Sequence, residues 1–151
     1  MLAYSNYPQL IWFPVAKPAK KQGKPAELLV AQNRAASYNY HLLEKLEAGM
    51  VLLGTEVKSL REGKANLRDA YAVIRAGAVW LLNCHIGEYL PGGTYNHTPL
   101  RSRKLLLHKE QIEKLDRKTD QKGLTLVPLK IYFRDGIAKC EIALAQGKKK
   151  W

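Results

Sequence analysis

Short apolar runs of strand length, separated by glycine, proline and asparagine, dominate the hydrophobic pattern of this chain. Apolar and β-branched runs bounded by turn residues are typical of β-strands, and a two-residue turn between two such runs predicts a hairpin. The pairs Ala76-Gly77 and Asp135-Gly136 are turns of this kind. We predict about six strands in one domain, at Glu27–Gln32, Val51–Lys58, Ala70–Arg75, Ala78–Ile86, Leu124–Phe133 and Ile137–Leu144.

The same pattern predicts which side chains face the core. Apolar residues recur at every second position of Val51–Lys58, which indicates a strand with one buried and one exposed face. In the next predicted hairpin, Trp80 and Leu82 are expected to point into the core. Pro128 lies inside a predicted strand and cannot donate a ladder hydrogen bond, so this strand must lie at an edge or contain a bulge.

Two other segments have helical periodicity. The first begins at Ser37, a suitable N-cap, and ends at Gly49, a suitable C-terminal stop. In the second, Leu107, Ile112 and Leu115 form an apolar stripe. A mainly β chain with two or three short flanking helices favours a small closed antiparallel β-barrel, because closure removes the sheet edges. Side chains fill the interior of such a barrel, so its function lies on the outside.

The charge balance indicates a nucleic-acid partner. The 151 residues include 25 Lys and Arg against 13 Asp and Glu, a formal net charge of +12, and strongly basic domains are typical of proteins that bind phosphate backbones. A basic protein of membrane surfaces would instead show a long amphipathic helix with one cationic face, and we find none in the sequence. The N-terminal apolar run Leu10–Phe13 is too short for a signal peptide. We therefore predict a cytoplasmic protein without membrane contact.

The positive charge is concentrated in two clusters. The first follows the strand predicted at Val51–Lys58 and surrounds Asn66, and it suits a phosphate backbone. A solvated edge strand that resists aggregation is the alternative interpretation. The second cluster follows the loop Pro91–Pro99, at whose tip Tyr95 and His97 could stack on bases. The clusters comprise Lys58, Arg61, Lys64 and Arg68, and then Arg101, Arg103, Lys104, Lys109 and Lys114.

No set of residues predicts catalysis or a metal site. Cys84 and Cys140 form no C-x-x-C pair, so both are expected to be reduced and partly buried. His85 has no second ligand pair at a usable spacing, and we interpret it as a hydrogen-bonded structural histidine. The aspartates and histidines are scattered, without a carboxylate cluster or a nucleophile beside a base. We predict neither enzymatic activity nor a cofactor.

Four segments of the chain carry a family signature. They are G-T-E-V-K-S-L-R-E-G-K-A-N-L-R-D-A-Y, N-H-T-P-L-R-S-R-K-L-L-L-H-K, K-G-L-T-L-V-P-L-K and A-Q-G-K-K-K. In order and spacing these segments resemble the SsrA-binding protein (SmpB) family, from about Leu29 to Lys150. The resemblance implies an OB-fold barrel that binds the transfer-RNA-like domain of transfer-messenger RNA. It also implies delivery of that RNA, with elongation factor Tu, to stalled ribosomes, where the protein contacts ribosomal RNA. We expect a monomer.

The resemblance further implies which residues contact RNA. Asn33, Glu47, Leu105 and Lys139 match surface positions of the family that are implicated in RNA binding. Glu47 can accept a hydrogen bond from a base edge or hold a neighbouring arginine. Leu105, a core residue by default, could pack on a splayed base. The predicted RNA-binding set is Asn33, Arg34, Glu47, Glu56, Lys58, Arg61, Lys64, Asn66, His97, Arg101, Arg103, Lys104, Leu105, Lys139, Lys148 and Lys149.

The sequence also predicts how the chain is divided. Residues 1–25 are rich in proline and lysine, and we predict a disordered basic arm there, either a passive tail or an RNA-contacting extension. The OB-fold RNA-binding domain is predicted at 26–146. Residues 147–151 begin a basic C-terminal tail, which the family continues further than this chain does.

A general single-strand-binding barrel of the OB type is the alternative function. Such a protein requires aromatic stacking platforms across the barrel face. Trp80 and most tyrosines lie in strand patterns where burial is the simpler interpretation. The pattern therefore favours the function that the family resemblance implies.

Overall fold

The computed structural model describes residues 27–120 and 123–148, so the arm predicted at 1–25 and the tail residues 149–151 lie outside the described residues. The strands are β1 (Glu27–Gln32), β2 (Tyr40–Met50), β3 (Ala65–Asn66), β4 (Tyr71–Arg75), β5 (Ala78–Leu82), β6 (His85–Ile86), β7 (Arg103–Leu106), β8 (Leu124–Arg134) and β9 (Ile137–Gly147). The helices are α1 (Ala36–Asn39), α2 (Gly54–Arg61) and α3 (Lys109–Thr119), with a 3-10 turn at Leu90–Tyr95. Within the described ranges, the helices lack the length and apolar character that a membrane span requires.

Antiparallel pairing joins six strands into a closed ring. β8 pairs with β4, β4 with β5, β5 with β7, β7 with β2, β2 with β9, and β9 returns to β8. β1 pairs with the C-terminal half of β8, beyond the point where β4 meets that strand. These pairings confirm the predicted fold, a mainly β, closed antiparallel barrel with short flanking helices.

Both predicted hairpins are present, and the backbone conformation explains their turns. Ala76 and Gly77 have φ angles of 49° and 76°, and Asp135 and Gly136 have φ angles of 54° and 80°. Positive φ at both central residues is the type I′ geometry, whose twist matches that of the flanking strands. The register of β8 against β9 shifts just after Pro128, which confirms the predicted bulge.

Aliphatic side chains fill the barrel interior. In β5, Val79 and Leu81 are 0% exposed and belong to this core, which also contains Ile131 of β8. Trp80 and Leu82 are only half-buried, so the prediction that they face the core was wrong by one position. A shift of one residue in a strand exchanges its two faces. A second, smaller cluster on the other face of β8 and β9 comprises Ala36, Val127, Leu129, Ala143 and Ala145.

The segment predicted to be a helix, from Ser37 to Gly49, is mainly the strand β2. Only the four residues of α1 are helical. β2 is paired with β9 over most of its length, and its residues alternate between exposed and half-buried. The spacing of Tyr40, Leu43 and Leu46 fits a helix, but hydrogen bonding to a distant strand decides the conformation. Tertiary pairing has overridden a local pattern here.

The segment predicted to be a strand, Val51–Lys58, is largely the helix α2. Val57 and Leu60 are both buried and lie three positions apart, which places them on one face of a helix. The Glu56 carboxylate accepts a hydrogen bond from the Leu53 backbone N–H at 2.7 Å. This bond satisfies a donor that the start of a helix leaves open. The alternating pattern covers only eight residues, and over so short a segment it could not distinguish a strand from a helix.

The second basic segment divides between a strand and a helix. Arg103 to Leu106 form β7, and the helix α3 begins only at Lys109. Within α3, Ile112 is half-buried and Leu115 is buried, as the apolar stripe predicted. The cations of this segment are therefore distributed over β7, α3 and the chain before β7, where Arg101 lies.

Cys84 and Cys140 are free thiols in the core, more fully buried than the sequence predicted. Burial raises the pKa of Cys84 to about 11 and also raises the pKa of Cys140. Both thiols therefore stay protonated and unreactive at neutral pH.

Candidate RNA-binding surface

The first predicted basic cluster is exposed, but it projects from a helix and the chain after it rather than from a strand. Lys58 and Arg61 lie on α2, and Lys64 and Arg68 follow it. Exposed Asn66 shapes this segment, because its side-chain oxygen accepts a hydrogen bond from the Arg68 backbone N–H at 2.8 Å. Four exposed cations on so short a segment create a positive potential that attracts phosphate. We call Lys58, Arg61, Lys64 and Arg68 the α2 basic face.

Neighbouring groups restrain three of these cations without removing their charge. The Lys58 ammonium lies 5.5 Å from the centroid of the Tyr89 ring, and the Arg61 guanidinium lies 5.1 Å from that of Phe133. At such distances a cation is attracted to the face of an aromatic ring. Lys64 lies 3.1 Å from Glu62, and the two side chains are 42% and 46% exposed, so this pair is weak.

Glu56, Arg101 and Arg103 form an ion network in the interior rather than on the surface. The Arg101 Nη2 lies 2.7 Å from Glu56 Oε1, and the Arg103 Nε lies 2.8 Å from Glu56 Oε2. The Glu56 and Arg103 side chains are completely buried, whereas Arg101 is half-buried. Arg103 also donates to the Cys84 carbonyl at 2.5 Å. The network therefore joins α2 to β7 and to the chain before β6.

The charge of Glu56 is stabilised by this network. Burial opposes its ionisation, but the hydrogen bond from Arg101, the charge of Arg103 and the Leu53 N–H together outweigh burial. The pKa of Glu56 consequently lies below its usual value of 4.5. Because its oxygens are buried and already bonded, the expectation that Glu56 contacts RNA directly does not fit the structure. The same correction applies to Arg103.

His97 and Leu105, also predicted to meet RNA, are buried as well. Leu105 is a core residue of β7 with 1% exposure. The ring nitrogens of His97 are hydrogen-bonded to the Thr55 hydroxyl at 2.8 Å and to the Ile86 carbonyl at 2.9 Å. Tyr95, two residues earlier, is 90% exposed. The loop thus presents its tyrosine to solvent and uses its histidine as an internal anchor.

A second, partly exposed surface lies on the outer face of β2, β8 and β9. Glu47 accepts a hydrogen bond from the Tyr132 hydroxyl, and its Oε2 forms an ion pair with the Arg134 Nη1 at 2.8 Å. Glu47 therefore holds a neighbouring arginine, one of the two roles predicted for it. Burial and the bond to Glu47 raise the pKa of Tyr132, so its hydroxyl remains a donor. Lys139 lies opposite Tyr132 in the register of β8 and β9, on the same face.

Three residues of this surface, Lys130, Tyr132 and Arg134, were missed from the sequence. The Lys130 ammonium and the Arg134 guanidinium lie 5.1 and 5.5 Å from the centroid of the Tyr132 ring. Both cations also pair with Glu27, at 3.6 and 2.8 Å. Lys130 and Tyr132 lie two positions apart in the predicted strand, and Arg134 follows at the same spacing just beyond its predicted end. This spacing was the signal that places the three residues on one face. We call Glu27, Glu47, Lys130, Tyr132, Arg134 and Lys139 the sheet face.

An open groove of about 560 Å³ adjoins the sheet face, between α1 and the strands β2, β8 and β9. Asn33 and Arg34 line it together with Lys45, Lys130 and Glu141. The Asn33 side chain donates to a backbone carbonyl of β8 at 3.0 Å, so it also holds the loop before α1 in place. Arg34 is exposed, as an RNA-contacting residue requires.

The remaining predicted positions are part of neither the α2 basic face nor the sheet face. Lys104 is half-buried on β7. Lys148 is exposed, and its ammonium donates to the Ser37 carbonyl at 3.0 Å. Lys149 lies outside the described residues. His85 is exposed on β6, and the described residues contain no group of three potential metal ligands.

Known proteins similar to this chain cover most of its length. A family model described as "SmpB protein" matches residues 30–151. A protein of Trichodesmium erythraeum named SsrA-binding protein is 58% identical over 132 residues, which are 87% of this chain and 84% of that protein. A protein of Syntrophomonas wolfei with the same name is 57% identical over 129 residues, 85% of this chain and 82% of that protein.

The fold has a similar counterpart among solved structures. A structure described as "tmRNA-SmpB: a journey to the center of the bacterial ribosome" matches with a TM-score of 0.66 and 50% sequence identity. The match covers 80% of this chain and 85% of that chain. Sequence and fold therefore agree that this chain belongs to the SmpB family.

Proposed function

We propose that this protein binds the transfer-RNA-like domain of transfer-messenger RNA and delivers it to stalled ribosomes. The observation that carries the proposal is the α2 basic face, where four exposed cations project from one short segment within the family signature. Relatives named SsrA-binding protein, and a structural relative whose description names tmRNA, SmpB and the bacterial ribosome, support it.

The two surfaces are suited to different parts of an RNA. The α2 basic face has strong positive charge and suits phosphates, whose counterions are released on binding. The sheet face has two carboxylates against three cations and offers acceptors and donors at fixed positions. Fixed hydrogen-bonding groups suit base edges and 2′-hydroxyls. We therefore assign the α2 basic face to RNA affinity and the sheet face, with Asn33 and Arg34 of the groove, to RNA specificity.

The first experiment compares binding of transfer-messenger RNA and of an unstructured RNA of equal length. The transfer-messenger RNA should bind more tightly in a gel shift. If roughly five phosphate contacts form, log K against log salt should fall with a slope of about −3 to −5. Equal affinities, or a flat salt response, would contradict the proposal.

Charge reversals then separate the surfaces. Lys58→Glu and Lys64→Glu should weaken RNA binding at low salt much more than at high salt, because both residues contact phosphates. Lys114→Glu, on the exposed side of α3, introduces the same charge change on a helix that contributes no residue to either surface, and it is the matched control. Equal weakening by all three variants would indicate long-range attraction without a binding site.

A general single-strand-binding barrel remains the alternative function. It requires exposed aromatic rings across the barrel face. Tyr132 and Phe133 of β8 are 2% and 5% exposed, and the exposed tyrosines are distributed over separate elements rather than over one barrel face. These are Tyr38 of α1, Tyr71 of β4 and Tyr95 of the 3-10 turn. The gel shift above distinguishes the two functions, since a general binder would prefer the unstructured RNA.

We further propose a cytoplasmic monomer that acts as a binding protein rather than an enzyme and joins elongation factor Tu during delivery. Static light scattering tests whether the protein is a monomer in solution. Co-purification of elongation factor Tu with the RNA-bound protein, but not with the protein alone, tests the delivery complex. Direct binding of elongation factor Tu without RNA would contradict this arrangement.

A further inference from the structure

Tyr95 is the most exposed large apolar side chain in the described part of the chain, at 90%. It ends the 3-10 turn Leu90–Tyr95, which lies between β6 and β7. A single exposed aromatic residue is ordinary on a protein surface, so exposure alone assigns no role. The fixed geometry and the charge around the turn distinguish this tyrosine.

Hydrogen bonds fix the turn at its root. The Asn96 side chain accepts from the Tyr89 backbone N–H at 2.9 Å and donates to the Tyr89 carbonyl at 2.6 Å. The next residue, His97, is buried and bonded to Thr55 of α2. Because these neighbours are held, Tyr95 has less backbone freedom to lose when a ligand binds.

Cations adjoin the turn, although the exposed Glu88 precedes Tyr89 in the chain. From residue 89 to 103 the sequence contains no carboxylate. The Lys58 ammonium lies 5.5 Å from the centroid of the Tyr89 ring, and the Lys64 carbonyl accepts a hydrogen bond from the Gly87 N–H at 2.9 Å. Two residues of the α2 basic face therefore adjoin the chain that leads into the turn.

We propose that Tyr95 is a stacking platform for an unpaired nucleobase of transfer-messenger RNA, while the adjoining α2 basic face binds neighbouring phosphates. This inference rests on the proposed function. Proteins that bind unpaired RNA place bases on aromatic rings and follow the backbone with cations. Although Leu90 is also exposed, the turn adjoins cations rather than a wide apolar patch, which favours RNA over a protein partner.

The test compares three substitutions of Tyr95 in the binding of purified full-length transfer-messenger RNA. Tyr95→Ala removes the ring and should weaken binding by about 5- to 100-fold, whereas Tyr95→Phe keeps the ring and should stay within about twofold of wild type. Tyr95→Leu keeps apolar volume without an aromatic face and should lose as much as alanine. Leu90→Ala, in the same turn, is the matched control and should bind like wild type.

Unfolding midpoints of all the variants should equal that of wild type, because both side chains are exposed. Unchanged affinity in Tyr95→Ala, with wild type binding normally, would overturn the stacking role and leave the proposed function standing. Failure of the wild type to bind would overturn both. Full affinity in Tyr95→Leu, or an equal loss in Leu90→Ala, would replace base stacking with an apolar contact. Unchanged RNA affinity with weakened ribosome binding would overturn the assignment to transfer-messenger RNA.

Discussion

Two glutamate–arginine networks in this molecule have similar chemistry and different surroundings. In the interior network, Glu56 binds Arg101 and Arg103, and the Glu56 and Arg103 side chains are 0% exposed. In the surface network, Glu47 binds Arg134, and these side chains are 34% and 37% exposed. The residue types are the same, so access to water accounts for the difference in their roles.

Access to water determines which interactions stabilise each charge. An interior charge has lost its hydration and relies on its partners, so removing one partner leaves an uncompensated charge. On the surface, water and salt compete with the pair and reduce its contribution. The interior network is therefore a structural joint between α2 and β7. The surface network, in contrast, remains accessible to solvent.

The largest expected effect is that of Arg103→Ala on the free energy of unfolding. The substitution should lower it by about 3 to 5 kcal/mol, because it leaves the buried Glu56 carboxylate without one of its two arginines. Urea unfolding followed by circular dichroism measures the change. Arg134→Ala, in the surface network, is the control and should lower it by no more than about 1 kcal/mol. Similar losses in the two variants would remove the distinction between interior and surface.

The interior network should also make the free energy of unfolding depend on pH. The pKa of Glu56 is lowered in the folded protein, because its arginine partners outweigh the effect of burial. The stabilisation by ionised Glu56 is therefore complete above its usual pKa of 4.5 and is lost as the pH falls through the folded-state pKa.

Wild type should have a higher free energy of unfolding than Glu56→Gln. This difference should stay constant from about pH 7 to about pH 5 and shrink in more acidic solution. Urea unfolding at a series of pH values measures it. Comparing the two proteins cancels the contributions of Glu27 and Glu44, whose pKa values are also lowered. If the difference in free energy of unfolding grew toward acidic pH, Glu56 would not be stabilised as a carboxylate.

A smaller effect is expected for Tyr132→Phe, which removes the hydroxyl that Glu47 accepts from. The loss should be about 0.5 to 1.5 kcal/mol, typical of one hydrogen bond. Burial and Glu47 raise the pKa of Tyr132, so Tyr132 is expected to be the last tyrosine to ionise in an alkaline titration of tyrosine absorbance. This last component should be absent from Tyr132→Phe. Tyr71→Phe, at an exposed position of β4, should change neither the stability nor the last component of the titration. If the last component persists in Tyr132→Phe, it belongs to another tyrosine.

The smallest expected effect is the coupling between Glu47 and Arg134. A double-mutant cycle with alanine at both positions should give about 0.2 to 1 kcal/mol at low salt and less at about 1 M salt. The same cycle for Glu56 and Arg103 should keep its coupling at high salt, because solvent ions have no access to the pair. Equal salt sensitivity of the two couplings would mean that Glu56 is more hydrated than its burial indicates.

Hairpins and basic composition were predictable because their causes are local. Asp135-Gly136 adopts the positive φ angles that a type I′ turn needs, and Pro128 disrupts any regular strand, wherever the rest of the chain lies. The errors in the fold, at Tyr40–Met50 and Gly54–Arg61, fell where apolar spacing suited both a helix and a strand. Contacts with distant elements made the choice there.

The sequence by itself determined a mainly β barrel with an excess of positive charge, because strand patterns, turn residues and net charge need no knowledge of neighbours. Only the tertiary structure decided which polar residues stay on the surface. Glu56, Arg103 and His97 are enclosed because distant partners satisfy them there, while Tyr95 projects into solvent. A buried charge or imidazole is tolerated only beside its partners, and those partners come together only when the barrel closes.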